Sequence, residues 1–316
     1  FAVVAIFFGD YPVSVAEVVG AFTGSAPEFA TMVVLEWRLP IAVAAVAFGA
    51  LLGLGGAIFQ SLTRNPLGSP DVIGFDAGAY TTVVVVVLVF GVQQYWTIAT
   101  AAILGGLATA FAVYLLAYRR GVQGFRLIVV GIAVAGCLGA ASTYLMTRAD
   151  ARDAIQVGVW GAGSISRVSW ASMVPSLVVA VGIGLACAVL APALRALELG
   201  DDTAVTHGVR VGRSRLALVA TGVASTALVT AAAGPIGFVA LVAPQLARRL
   251  TGAGGTSLTA AAAMGAVLLG GAQLVSLVIA AFARPVPVGL VTICLGGSYL
   301  IWLLVREARA DGRGRR

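Results

Sequence analysis

The sequence predicts an all-α polytopic membrane protein with about ten transmembrane helices, and three observations carry that prediction. Hydrophobic residues fill 60% of the 316 positions and charged residues only 10%, against about 25% charged in soluble domains. Mean hydropathy is +1.01. Uncharged stretches recur along the whole chain at lengths that cross a bilayer. The composition excludes a disordered chain, a secreted disulfide scaffold and a cytosolic enzyme. All twenty basic residues are Arg and none is Lys. A phosphate-binding P-loop needs its Lys, so this chain is not by itself a P-loop ATPase.

Taken in order, residues 1–9 are too short to span and read as the remnant of a first helix rather than a signal peptide. Leu39–Thr63 is uncharged for 25 residues, enough to cross about 30 Å of hydrocarbon. Ala77–Tyr118 is uncharged for 42 residues, which makes two spans, with the turn marked by Gln93-Gln94-Tyr95-Trp96. Leu127–Thr147 and Val168–Leu194 make one span each. Leu216–Ala247 is broken at Gly234-Pro235, where proline ends a helix and leaves a short segment behind it. Leu250–Ala283 and Pro285–Val305 hold the last two spans. Residues 1–316 thus read as one transmembrane domain, with an inner loop at 195–215 and a basic tail at 306–316.

With alternating spans, fifteen Arg fall on one side: Arg64, Arg119, Arg120, Arg126, Arg195, Arg210, Arg213, Arg215, Arg248, Arg249 and the five of the tail. The other side receives five, namely Arg38, Arg148, Arg152, Arg167 and Arg284. The positive-inside rule then places both termini in the cytoplasm. It also accounts for the net charge of +7 without nucleic acid. Small residues four apart, Gly49 and Gly53, then Gly131, Ala135 and Gly139, predict close helix packing. Cys137, Cys187 and Cys294 have no metal or disulfide spacing and read as small buried residues.

Catalytic signatures are absent. The single histidine, His207, stands in an inner loop with no nucleophile motif near it, and no HExxH or GxSxG occurs. Asp76 stands out as an intramembrane acid. It lies five residues after Asp71, about 7 Å along a helix, and a charge at the bilayer centre costs about 2.5–3.5 kcal/mol. It reads either as an interfacial carboxylate or as a group facing a polar pathway.

Three segments are more specific. The first runs from Arg38-Leu39-Pro40 through Gly49, Gly53 and Gln60 to Arg64-Asn65-Pro66-Leu67-Gly68-Ser69-Pro70-Asp71-Val72-Ile73-Gly74. The second runs from Leu199-Gly200-Asp201-Asp202 to Gly208-Val209-Arg210-Val211. The third is Ala233-Gly234-Pro235-Ile236-Gly237-Phe238 through Val242-Ala243-Pro244, followed by Gln245 and Arg248-Arg249. With Pro287-Val288-Gly289-Leu290-Val291-Thr292 and Gly296-Gly297, the chain over about 37–305 resembles the FecCD-type permeases, membrane subunits of ABC importers for ferric siderophores, haem and cobalamin. It departs from the family pattern at Ile41, Asp76, Gln245, Val286 and Ser298-Tyr299.

The resemblance implies a type II ABC importer permease that binds no cofactor itself. ATP and magnesium would sit on a separate ATPase present in two copies. A second permease copy or a homologue would complete the pathway, an extracytoplasmic binding protein would deliver the cargo, and lipid would surround the bundle. Gly200, Asp201, Asp202, Thr203, Ala204, His207, Gly208 and Val209 are expected to couple to the ATPase. Acids at the first turn and Gly208 at the stop suit a short helix. Thr203, Ala204 and His207 share one face, expected to seat on the ATPase. Arg38, in the family motif, and Arg284, by place alone, are expected to dock the binding protein. Gln60, Asn65, Pro66, Gly74 and Asp76 are assigned to the pathway, with Asn65, Pro66 and Asp76 near its inner mouth. The competing reading is an ion-coupled secondary transporter, supported by Asp76 and the Gly234-Pro235 break.

Overall fold

A computed structural model describes residues 1–9, 11–71, 74–117, 124–252 and 254–314, with backbone alone at 124, 125, 304 and 307–314. Arg119, Arg120, Val72, Ile73 and the tail side chains beyond Arg306 lie outside the described residues. Regular structure among the described residues is entirely helical.

After α1 (Ala2–Ala5), α2 (Val15–Thr23) opens with a capping box. Ser14 Oγ accepts the Glu17 N–H at 3.2 Å, and the Glu17 carboxylate accepts the Ser14 N–H at 2.8 Å. α3 (Glu28–Met32) runs through a π-helical stretch, Val33–Arg38, into α4 (Leu39–Thr63). The span expected to begin at Leu39 is therefore part of a 36-residue apolar helix from Glu28 to Thr63. The π stretch has a local cause. Pro40 lacks an N–H and its ring crowds the carbonyl four residues back, and the wider spacing makes room for it.

α5 (Phe75–Leu88) and α6 (Tyr95–Ala117) flank the expected polar turn, and α7 (Gly124–Arg148) follows. α8 (Ala151–Gly161) lies between the expected spans Leu127–Thr147 and Val168–Leu194, where no helix is predicted. It is amphipathic and too short to span. α9 (Trp170–Glu198), α10 (Asp201–Thr206) and α11 (Val211–Ala233) come next, with α11 stopped by Gly234 at φ 74° and Pro235. α12 (Val239–Thr251), α13 (Leu258–Phe282) and α14 (Val288–Gly314) complete the chain. The α14 backbone continues helically past Val305, so the basic tail extends a span instead of leaving it.

Among the described residues, six helices are long and apolar enough to cross a membrane, and α5 and the Val288–Leu303 part of α14 are shorter apolar helices. With α12 and the α1 turn they correspond to the ten segments read from the sequence.

α4 lies at the centre, packed on α9, α11, α12 and α13. Its contact with α13 is backbone to backbone. A Cβ on Gly53 would stand 2.2 Å from the Ala261 carbonyl oxygen, so only glycine permits this approach. The second expected stripe divides. Gly131 and Ala135 of α7 pack toward Gly74, whereas a Cβ on Gly139 would meet nothing within 4 Å. Cys187 is buried as expected, but Cys137 and Cys294 are exposed, on α7 and α14.

One end of the bundle gathers Ser61, Arg64, Glu198 and Thr256; we call it the basic end. The other is tied by Trp170 Nε1, which donates to the Leu35 carbonyl at 2.7 Å. There too, the Ser164 N–H donates to Ala233 at 2.7 Å and the Gly289 N–H to Gly163 at 3.0 Å.

Candidate functional site

α10 is a six-residue helix standing off the basic end, and local chemistry accounts for its limits. Gly200 (φ 124°) precedes it, Asp201 and Asp202 occupy the first turn where the helix dipole favours acids, and Gly208 (φ 77°) turns the chain away. The Val209 N–H closes the turn on the Ala204 carbonyl at 2.9 Å. The helix and its limits match the expectation.

Its orientation does not. Ala204 is 0% exposed and belongs to the cluster containing Leu194, Leu197 and Leu218, so it seats α10 on its own chain and cannot reach an ATPase groove. Thr203 is partly buried, and its carbonyl lies 2.8 Å from His207 Nδ1. The outward side presents Asp201, Asp202, Val205, Thr206 and His207, with Val205 61% exposed. Spacing put three residues on a common face but could not say which way that face turns. An apolar residue three and four positions after the two acids Asp202 and Asp201, hence on their side of the helix, was the signal that could have found Val205.

Two acids fasten this element. Asp201 accepts from Arg215 Nη2 at 2.8 and 3.1 Å, and Arg64 Nη2 lies 3.5 Å from the same carboxylate. Arg64 also donates to the Leu197 carbonyl at 3.2 Å. Glu198 accepts from the Ser61 hydroxyl and, at 3.3 and 3.4 Å, from the Thr256 N–H. Sequence reasoning singled out neither Glu198 nor the Arg64 contact, whose partners are more than a hundred residues apart.

The loop after α4 begins at the basic end. Arg64 caps α4 in the left-handed region (φ 50°), and Asn65 Oδ1 accepts the Leu67 N–H at 2.8 Å in an Asx turn. Asn65 is partly buried and Pro66 exposed. Gln60 is buried, donating to the Leu241 carbonyl at 2.8 Å and accepting from Arg248 at 3.2 Å. Gln245 donates to the Pro66 carbonyl at 2.8 Å, so a position named above as a departure here braces the loop.

From Gly68 to Pro70 the loop is buried, and α5 starts only after Gly74 (φ 86°). Asp76 accepts from Thr230 Oγ1 at 3.1 Å. Thr230 lies fifteen residues beyond Arg215 on α11, roughly 22 Å along the helix axis. Asp76 is therefore well inside the bundle and not beside Asn65 and Pro66 at a mouth. Asp71 Oδ1 is buried without a hydrogen-bond partner among the described residues.

The model of the FecCD transport family matches residues 1–306. This chain belongs to that family.

The FecCD chain is 47% identical over 301 residues to the ferric enterobactin transport system permease protein FepG of Escherichia coli (strain K12), covering 95% of this chain and 91% of that protein. It is 33% identical over 282 residues to the hemin transport system permease protein HmuU of Yersinia pestis, covering 86% and 83%. A solved structure described as an inward-facing metal-chelate-type ABC transporter superimposes with a TM-score of 0.79 at 25% identity, covering 96% of this chain and 94% of that one. The architecture is that of a type II ABC importer permease.

At the end opposite α10, the FecCD chain holds Arg38 differently from the expectation of a free docking cation. Its guanidinium donates to the Ile6 carbonyl at 2.8 Å and the Tyr11 carbonyl at 2.5 Å, pinning the N-terminal segment. Arg284 is exposed in the turn between α13 and α14. At the basic end, Arg249 stacks over Tyr299 and Trp302 at 5.8 and 5.2 Å, and Arg306 over Trp302 at 5.4 Å. Paired cations and aromatic rings of this kind suit a membrane interface.

Proposed function

We propose that this chain is the permease subunit of a bacterial ABC importer that moves a ferric siderophore across the cytoplasmic membrane. The observation that carries the reading is α10, a short helix presented at the basic end of a chain that has no Lys and hence no P-loop of its own. A transporter built this way must receive its energy through a contact, and α10 offers one. Gly200, Asp201, Asp202, Thr203, His207, Gly208 and Val209 form or bound the coupling element, Ala204 seats it, and Val205 meets the ATPase. ATP and magnesium belong to two copies of that partner. The Arg asymmetry supports a cytoplasmic position for α10 and the C-terminal tail. A second copy or a homologous permease completes the pathway, with Asn65 and Pro66 at its inner mouth, Gln60 bracing it, and Gly74 and Asp76 deeper inside.

Siderophore is preferred as cargo on the 47% identity to a ferric enterobactin permease protein, with haem and cobalamin as the other family cargoes. An extracytoplasmic binding protein docks at the opposite end, where Arg284 is the available cation and Arg38 shapes the surface by holding the N-terminal segment. Ion-coupled secondary transport is disfavoured, because the solved structure on which the chain superimposes over 96% of its length is described as an ABC transporter.

The test is uptake of ferric enterobactin, other iron chelates, haem and cobalamin in a deletion strain. In parallel, ATP hydrolysis is measured in vesicles with and without separately added ATPase. Siderophore-stimulated hydrolysis that requires the added subunit is the expected result. Uptake driven by an ion gradient without ATP would sink the proposal.

A further inference from the structure

The two ion pairs among the described residues share one carboxylate. Asp201, the first residue of α10, is held by Arg215 at the start of α11 and by Arg64 at the end of α4. Arg215 ties α10 to the helix that follows it in sequence. Arg64 reaches a different element altogether, the loop that carries Asn65 and Pro66.

The backbone at Arg64 makes that reach consequential. It adopts φ 50°, one of two non-glycine residues in the left-handed region among those described. Its N–H closes the last turn of α4 on Ser61 at 3.3 Å, and the Asn65 N–H returns to Gln60 at 3.2 Å. Arg64 is thus the point where a rigid central helix becomes a loop. Left-handed backbone is costly for residues with a Cβ and persists where surrounding contacts hold it. Its side chain supplies two such contacts, the Leu197 carbonyl at 3.2 Å and Asp201 Oδ1 at 3.5 Å, both at the α9–α10 junction.

A neighbouring tie behaves differently. Glu198 is partly buried and bonded to Ser61 and Thr256, which fixes the end of α9 to α4 and to the loop before α13. The Arg64–Asp201 pair is half exposed, 55% and 49% for the two side chains, so it can lengthen or re-form without unpacking a core. A fixed abutment beside a movable strut is the arrangement needed to turn displacement of α10 into displacement of the loop.

We propose that Arg64 is a positioning residue that relays movement of α10, through Asp201, to the Asn65–Pro66 segment. The proposal rests on the reading of α10 as the ATPase contact. Movement of α10 shifts Asp201, the pair pulls the Arg64 side chain, and the loop follows at its left-handed hinge.

The test uses the assembled importer in vesicles, with its ATPase and binding protein, and reads ferric siderophore uptake per ATP hydrolysed. Arg64→Gln should lower that ratio about two- to fivefold, the scale of an exposed ion pair, while Arg64→Lys keeps most of it. Asp201→Asn should lower it as well, and adding Arg64→Gln in that background should cost nothing further. Raising salt should bring the wild-type ratio toward that of Arg64→Gln and leave the variant unmoved. In a Cys-free background, thiol labelling at Asn65→Cys should change with nucleotide state, and Arg64→Gln should abolish that change. Multiplying losses in the double variant, or nucleotide-dependent labelling that survives Arg64→Gln, would overturn the relay. Val205→Trp separates the two ideas. If it uncouples transport while Arg64→Gln does not, only the relay is wrong. If it leaves transport intact, the coupling role of α10 fails and the relay fails with it.

Discussion

Gly49 and Gly265 face each other across the α4–α13 contact without room for a side chain on either. A Cβ on Gly49 would stand 2.4 Å from the Gly265 carbonyl oxygen, and one on Gly265 2.0 Å from that of Gly49. The obstructing atoms are backbone, so neither helix can yield locally. Between lipid-facing helices, such small-residue seams supply association that hydrophobicity cannot.

Gly49→Ala or Gly265→Ala should therefore destabilise the purified protein by about 1–3 kcal/mol, the usual cost of overpacking. Gly139→Ala, with open space around its Cβ, should be neutral or slightly stabilising, since Ala is the better helix former. Thermal unfolding in detergent compares the three. Equal midpoints for Gly49→Ala and Gly139→Ala would show that the seam does not exist.

Ala204 should tolerate Ser and reject bulk for an internal reason. Ala204→Leu has to be accommodated among Leu194, Leu197 and Leu218, which lifts α10 off its seat. The expected outcome is a lower midpoint for the isolated permease, before any ATPase is added. An Ala204→Leu chain as stable as wild type but unable to bind ATPase would return Ala204 to the outward face.

The Thr230–Asp76 hydrogen bond predicts opposite signs for two substitutions. Thr230→Val removes the donor and leaves the carboxylate unsatisfied inside the bundle, at a cost of about 1–3 kcal/mol. Asp76→Asn keeps an acceptor and removes a charge from inside the bundle, so it should raise the midpoint. Stabilisation by Thr230→Val, or no response to either change, would contradict this geometry.

Arg38→Ala should loosen the segment that its guanidinium pins at Ile6 and Tyr11. Hydrogen bonds from a charged donor contribute about 1.5–3 kcal/mol. Hydrogen exchange over residues 6–11 should accelerate while α4 stays protected. Arg284→Glu, at an exposed turn, should leave exchange unchanged and weaken binding-protein docking in low salt. If Arg38→Ala changes docking alone, with exchange in the segment unaltered, the pinning role is wrong.

What the sequence determined by itself was whatever depends on neighbours along the chain. Uncharged runs set the spans, Gly234-Pro235 stopped α11, and Gly200 and Gly208 bounded α10. Each follows from a missing N–H, a missing Cβ or a length compared with the bilayer. Gly49 and Gly53 belong here too, because close approach is required of the residue itself, whichever helix arrives. The tertiary structure decided everything that needed a partner from elsewhere. Ala204 faces inward because it packs into the apolar core that also holds Leu194, Leu197 and Leu218. Asp76 lies inside the bundle because its partner is Thr230 of α11, 154 residues away in sequence. Arg38 grips the N-terminal segment, and Arg64 reaches Asp201 across the basic end. A hydropathy pattern records how apolar a stretch is and where a helix can start or stop. It does not record rotation about the helix axis or depth along it, and those two quantities set every side-chain contact in the candidate site.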